Sequence, residues 1–181
     1  MDEICDEVLV EKLRKTGELR YFDQLVSRHI GKVRGMIYPM VLNHADADDL
    51  TQETFVRVMR HIGGFRRRAR FSTWLYRIAI NTTKTFLAKR SRGRMEYHAD
   101  PPEPPSPAPA RYDGISATED DRRIDAALAA LSPSLRSAIT LTVLQGLDVR
   151  KAAAIDGCLA QTMYWRVFEA RRQLRKSLGK H

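Results

Sequence analysis

From Phe55 to Met95 the chain carries no Asp or Glu, yet Arg57, Arg60, Arg66, Arg67, Arg68, Arg70, Arg77, Lys84, Lys89, Arg90, Arg92 and Arg94 fall within it. Phe65, Phe71, Trp74, Tyr76 and Phe86 are set among these cations. Cations neutralise phosphates and release counterions, and flat rings stack on unpaired bases. The combination suits a nucleic-acid strand, a single strand better than a closed duplex. A solvated basic face over an ordinary aromatic core would have the same composition. A second run lies near the C-terminus. There Gln161, Thr162, Tyr164, Trp165, Phe168 and Glu169 fall on the outward side of a helical pattern, and Arg166, Arg171, Arg172 and Arg175 can reach phosphates.

The elements that must carry these groups are helical, with no strand pattern. Phe22, Leu25, Val26, Ile30, Val33, Met36, Ile37 and Met40 have the three-and-four spacing of an amphipathic helix, closed by Pro39 and Asn43. Asp46 is placed to cap the next helix, with Leu50, Thr54, Phe55, Val58 and Ile62 inward and Gly63-Gly64 as the stop. After the basic loop Phe65 to Phe71, Ser72 can cap a third helix buried through Leu75, Ile78, Ala79, Thr82 and Phe86. Trp74, Arg77, Asn81 and Lys84 fall largely off that stripe. From Ser91 to Ala117 the pattern gives way to Pro101, Pro102, Pro104, Pro105, Pro107 and Pro109 among small and polar residues, the composition of a semi-rigid linker.

Past the linker, Ile124, Ala127, Leu128 and Leu131 mark a helix beginning near Thr118, and Ser132-Pro133 reads as cap and first-turn proline of the next. That helix carries Leu135, Ile139, Thr142 and Val143 and ends at Gly146. Asp148 can cap a short helix with Ala152, Ala153 and Ile155 inward, and Gly157 makes the turn into a last helix. The last helix buries Leu159, Met163, Val167, Ala170, Leu174 and Leu178. A short helix, a Gly turn and a longer basic helix fit a helix-turn-helix, whose second helix enters the major groove, and a generic helical hairpin shares this pattern. The fold class expected is all-α: residues 1–90 as an N-terminal helical domain, 91–117 as linker and 118–181 as a C-terminal helix-turn-helix domain.

Composition narrows the function. The 181 residues carry a net charge of +9, with a pI near 9.9, which favours a polyanionic partner. No apolar run spans a bilayer and the acidic start, Met1 to Glu11, has no secretory core, so a cytoplasmic location is expected. Cys5 and Cys158 lie far apart and outside any CxxC pair, so neither a disulfide framework nor a zinc site is expected. An enzyme is disfavoured: the basic stretch offers His61 and no carboxylate, the other histidines are scattered, and neither a P-loop nor a nucleophile–base pairing is visible. No catalytic residue, metal or cofactor is expected.

Four segments resemble those of one family. Asp46-Ala-Asp-Asp-Leu-Thr-Gln-Glu-Thr-Phe55 and Phe71-Ser-Thr-Trp-Leu-Tyr-Arg-Ile-Ala-Ile-Asn81 are similar to consecutive signatures of bacterial sigma factors. Leu131-Ser-Pro-Ser-Leu-Arg136 and Thr162-Met-Tyr-Trp-Arg-Val-Phe-Glu-Ala-Arg171 resemble segments of their C-terminal domain. Both modules are covered in order, and the match is nearest to the small extracytoplasmic-function (ECF) sigma factors of the envelope-stress, sigma-E-like type.

The resemblance implies that Asp49, Gln52 and Glu53 dock on the beta-prime clamp helices of core RNA polymerase, with the beta flap as a further contact. It implies that Phe65, Arg66, Arg67, Arg68, Arg70, Phe71, Trp74, Arg77, Asn81 and Lys84 bind and melt the minus-ten element. Gln161, Thr162, Tyr164, Trp165, Arg166, Phe168, Glu169, Arg171 and Arg172 would read the minus-thirty-five element as duplex, and an anti-sigma factor would be a further partner. The chain departs from the family at Tyr164, Trp165 and Glu169, where apolar contacts to a thymine methyl and acceptance from cytosine N4 are the chemistry available. A stand-alone helix-turn-helix regulator is the alternative. It would explain the second module but not the acidic helix or the ring-studded basic stretch.

Overall fold

A computed structural model describes residues 4–96 and 118–179, which fold into α1 (Asp6–Thr16), α2 (Arg20–Val41), α3 (His44–His61), α4 (Phe71–Glu96), α5 (Glu119–Ala129), α6 (Pro133–Ile139), α7 (Val149–Asp156) and α8 (Ala160–Leu178). A 3₁₀ turn, Ile62–Gly64, follows α3 and a wide π turn, Thr140–Leu144, extends α6. Among the described residues there is no strand. The proline run from Pro101 to Pro109 lies outside the described residues, while α4 continues to Glu96, past the point where the apolar pattern gives way.

The helix starts follow local chemistry, with two corrections. Asn43, not Asp46, caps α3, its side chain accepting from the Asp46 N–H at 2.9 Å. The start of α4 is satisfied from a distance: the Phe71 N–H donates to Glu7 Oε1 at 2.9 Å, and Ser72 lies inside the helix. Thr118 and Asp121 form a reciprocal capping box on α5, and Asp148 caps α7 by accepting from the Lys151 N–H at 2.9 Å. Gly157 closes α7 at φ 77°, a left-handed conformation that glycine adopts without a Cβ clash.

Helix α1 carries none of the motifs above. Its Leu9, Val10 and Leu13 are buried against the N-terminal core. The signal was present in the sequence: a first turn with Asp6 and Glu7, followed by apolar residues at helical spacing.

One contiguous core runs through both helical modules. Leu25, Met36, Ile37, Phe71, Leu75 and Ile80 from the first meet Leu141, Ala153, Ile155 and Met163 from the second. A smaller cluster gathers Leu128, Leu131, Leu135, Ile139 and Ala170. Helix α4 is buried on more than the expected stripe, because Ile80 and Thr83 are enclosed as well. A helix enclosed on several faces has neighbours on several sides, and α4 lies against α2, α3 and α7. Five residues expected inward are exposed instead: Ile30, Ile124, Val143, Leu159 and Leu178. Leu159 precedes the first turn of α8 as its N-cap, and the others sit where no further helix among the described residues covers them.

Helix α2 explains part of the union between the modules. Pro39 lies in its last turns and has no N–H to give the carbonyl four residues earlier, at Gly35. Gln145 Nε2 supplies that donor to Gly35 O at 3.1 Å. Arg136 Nη1 donates to Met40 O at 2.8 Å, and its Nη2 donates to Ala129 O and Leu131 O at 2.9 and 3.0 Å. Burial pushes the Arg136 guanidinium below its ordinary pKa. Tyr38 Oη donates to Asp125 Oδ2 at 2.8 Å. The C-terminal module thus completes hydrogen bonds that the N-terminal module leaves open.

Candidate nucleic-acid interface

The basic loop is held at both ends. Gly63-Gly64 breaks α3, and the ring of Phe65 turns inward against Phe71 and Trp74, with centroids 5.8 and 5.4 Å away. Arg14 Nη1 donates to Phe65 O at 3.3 Å, and the Glu7 contact fixes Phe71. That hydrogen bond from the Phe71 N–H is the main reason the Glu7 carboxyl sits below its ordinary pKa. Between these anchors Arg66, Arg67, Arg68 and Arg70 are exposed. Arg67 holds a left-handed φ of 54° and lies 3.5 Å from Glu11. Among the described residues Arg66, Arg68 and Arg70 have no ion-pair partner, so their charge is available to phosphates.

The rings expected beside this loop are not available in the same way. Phe65 and Phe71 are 4% and 0% exposed, and Tyr76 is also buried. The reason is elementary: removing a phenyl ring from water is worth roughly 1.5–3 kcal/mol, and the α2–α4 core lies directly beneath. Phe65 and Phe71 support the loop from below and cannot stack on a base in this arrangement. Trp74 is partly exposed at the core's edge, and Asn81 is exposed.

The cations of α4 face a second constraint. Arg77 donates to Ala154 O through Nε at 3.0 Å and Nη2 at 2.6 Å. Lys84 Nζ lies 2.7 Å from Asp156 Oδ1 and donates to Asp156 O at 3.0 Å. Both acceptor carbonyls belong to the last turn of α7, where the helix dipole is negative and attracts cations. Asp156 is 6% exposed. Its carboxylate also accepts from Ser137 Oγ and pairs with Arg166 Nη1 at 2.7 Å. Three side chains expected on phosphates, Arg77, Lys84 and Arg166, are therefore engaged at one seam between the modules. The signal for Asp156 in the sequence is a carboxylate directly after a buried Ile and before the turn glycine.

On α8, Gln161, Tyr164, Trp165, Phe168, Arg171 and Arg172 are exposed and Thr162 is half-buried. Glu169 is taken up locally: Arg172 donates to Oε2 through Nε at 2.8 Å and to Oε1 through Nη2 at 2.7 Å, and Gln173 Nε2 donates to Oε1 at 2.7 Å. These donors hold the Glu169 carboxyl down to about 2, Arg172 contributing most. The carboxylate expected to accept from cytosine is thus occupied within its own helix, and Arg172 is occupied with it.

The acidic helix presents Asp49, Gln52 and Glu53 together on the exposed side of α3, with Glu53 bonded to Arg57 one turn on. Beside Gln52 an open groove of 460 Å³ runs between α2 and α3, lined mainly by Phe22, Val26, Ile30, Phe55, Val56 and Met59. A second apolar groove, of 420 Å³, lies between the α6 end and α8 at Ile139, Val143, Leu174 and Leu178, with Arg171 and Arg175 on its rim. Among the described residues no group of His, Cys, Asp and Glu is arranged to hold a metal ion, and no helix is long and apolar enough to cross a membrane. Cys5 and Cys158 are both free thiols.

An all-helical chain with a basic loop, a helix-turn-helix and a carboxylate-faced helix is the architecture of a DNA-binding transcription protein. Residues 25–93 match the family model for sigma-70 region 2. The chain is 33% identical to the RNA polymerase sigma-H factor of Pseudomonas aeruginosa, over 96% of this chain and 93% of that protein. It is 34% identical to the ECF RNA polymerase sigma factor SigE of Mycolicibacterium smegmatis over 88% of this chain, spanning 62% of that longer protein. The fold is similar to the sigma factor RpoE in its co-crystal structure with the anti-sigma factor NepR from Bartonella quintana, with a TM-score of 0.70, 27% identity and coverage of 88% of this chain and 97% of that one. The chain belongs to the ECF family of RNA polymerase sigma factors, among its sigma-E-like members.

Proposed function

We propose that the chain docks on core RNA polymerase in the cytoplasm, directs it to promoters and opens the DNA there, with no covalent bond made or broken by its own residues. The docking surface is the exposed side of α3 formed by Asp49, Gln52 and Glu53, together with the apolar groove beside Gln52. A groove flanked by carboxylates suits an amphipathic basic helix such as a clamp helix of the beta-prime subunit. The groove at Val143 and Leu174 suits the beta flap.

The Arg66–Arg70 loop would grip the melting strand, with Trp74 and Asn81 addressing bases at the minus-ten element. Unstacking a base costs a few kcal/mol, and stacking returns about 1–3 kcal/mol per base. One or two captured bases are therefore enough to hold an opened segment. Helix α8 would lie in the major groove of the minus-thirty-five element.

The observation that carries this reading is the division of labour along one pair of helices. Carboxylates occupy the exposed side of α3, and Arg66, Arg68 and Arg70, which have no ion-pair partner among the described residues, occupy the loop that joins it to α4. A stand-alone helix-turn-helix regulator would leave both surfaces without a task. The engaged state of Arg77, Lys84 and Arg166 adds a requirement: the seam must open before these cations reach phosphate, and an anti-sigma partner that keeps the seam shut would keep the factor inactive.

Run-off transcription tests the reading. Core polymerase with this chain should start RNA at a defined subset of a promoter library, and the Asp49→Ala/Gln52→Ala/Glu53→Ala variant should lose that start while keeping its fold. Unchanged initiation by core polymerase in the presence of the chain would end it.

A further inference from the structure

Most polar side chains that α8 could send to a base edge are already committed. Glu169 is held by Arg172 and Gln173, and Arg166 is held by Asp156. The large side chains left outward are rings: Tyr164, Trp165 and Phe168 are 59%, 61% and 65% exposed. Their spacing puts them side by side on one face of the helix. Such a cluster in water marks a contact surface.

The surroundings say which kind. Arg150 on α7 and Arg171, Arg175 and Lys176 on α8 are exposed on the same two helices, and the first turn of α8 has no carboxylate. An apolar protein surface would cover the rings and leave these cations unanswered. A duplex answers both, since phosphates flank a groove whose base edges carry one apolar group, the thymine C5-methyl.

Resting on the reading of α8 as the duplex-reading helix, we infer that Tyr164, Trp165 and Phe168 form a methyl-reading face that makes thymines the determinant of the upstream element. Gln161, exposed one turn earlier, is placed to take adenine N6 and N7 beside them. Glu169 does not read cytosine; it is a positioning residue that holds Arg172 and Gln173 in place.

The experiment uses holoenzyme assembled from core polymerase and the full chain. Duplexes are selected from a random-sequence pool, and the upstream half of the recovered duplex is resynthesised with deoxyuridine for thymidine, which removes only the methyl. Each methyl covered by a ring should cost about fourfold in affinity, the equivalent of about 0.8 kcal/mol per buried carbon. Trp165→Ala and Phe168→Ala holoenzymes should each lose part of the thymine preference and the double variant most of it, whereas Arg171→Ala should weaken both duplexes and leave their ratio unchanged.

Equal affinity of the unsubstituted holoenzyme for thymine and uracil duplexes overturns the inference, as does a full thymine preference retained by both ring variants. If the ring variants bind DNA normally but fail to assemble with polymerase, the face is a protein contact and the inference falls. Failure of the unsubstituted chain to assemble or to enrich any duplex would remove the sigma-factor reading itself. That result is told apart by the absence of promoter-directed starts.

Discussion

The two surfaces nearest in expected role, the loop with α4 and the outer face of α8, are built in opposite ways. The first hides its rings and shows arginines: Phe65 and Phe71 are core residues, while Arg66, Arg68 and Arg70 stand in solvent. The second shows its rings and binds up its charge: Tyr164, Trp165 and Phe168 are exposed, while Arg166 and Arg172 are paired with carboxylates. The lesson is that one residue vocabulary, rings among cations, yields two different chemistries according to which member the fold buries. The loop is a phosphate-gripping surface on an aromatic base. The outer face of α8 is an apolar reading surface with a cationic border.

The sharpest break of this contrast compares two phenylalanines. Phe71→Ala should cost about 3–5 kcal/mol of stability, read as a lowered urea midpoint, because it empties a fully buried site. Phe168→Ala should stay within about 0.5 kcal/mol and change DNA binding alone. Similar losses from both would make the α8 rings structural and erase the distinction.

Next in size is the seam that the two surfaces share. Asp156→Ala leaves Lys84 and Arg166 facing each other without a counter-charge. Since Lys84 keeps about a third of its side chain in water, the loss belongs at the lower end for a broken buried pair, about 3 kcal/mol. Small-angle scattering should show a larger radius of gyration as the modules part. An unchanged radius would mean that the apolar core between the modules is sufficient without the ion pairs.

The loop arginines come third. Arg66→Ala/Arg67→Ala/Arg68→Ala should lower the salt slope of DNA binding by about 2–3, at roughly 0.7–0.9 per phosphate contact. Measured by anisotropy against salt concentration, an unchanged slope would place all three side chains away from the strand.

The smallest effect concerns the remote cap of α4. Glu7→Gln should cost about 1 kcal/mol near neutral pH. The folded-state pKa of Glu7 is depressed by the Phe71 N–H, so its contribution is complete above the unfolded value and is lost as pH falls through the folded one. The stability difference between the two proteins should therefore shrink on acidification. A difference that stays constant with pH would show that the carboxylate charge is not what holds the loop's end.

Much of the architecture was legible from pattern. The apolar spacing of α2, α3 and α8, the cap at Asp148 and the turn at Gly157 are local features with local causes. The starts of α3 and α4 are set by contacts that residue type alone does not specify. Asp46 and Ser72 are good cap residues, but caps are decided by which side chain reaches the open N–H groups, and Asn43 and Glu7 reach them. Asp49, Gln52 and Glu53 could be placed on an outer helical face from their spacing alone. Phe65 and Phe71 could not be told from stacking rings, because burial depends on the helices that converge on them from elsewhere in the chain.

The sequence by itself determined the helical class, the one-signed charge of residues 55–95 and the family, since periodicity, net charge and motif order depend on residue identity and not on three-dimensional neighbours. Only the tertiary structure decided which cations and rings are available. Arg77 and Lys84 meet the negative end of α7, and the Gly35 carbonyl freed by Pro39 is filled by Gln145. Most of these are choices among partners far apart in the chain. Such choices are settled by which pairing leaves the fewest buried charges and hydrogen-bonding groups unanswered once both modules pack on a common core.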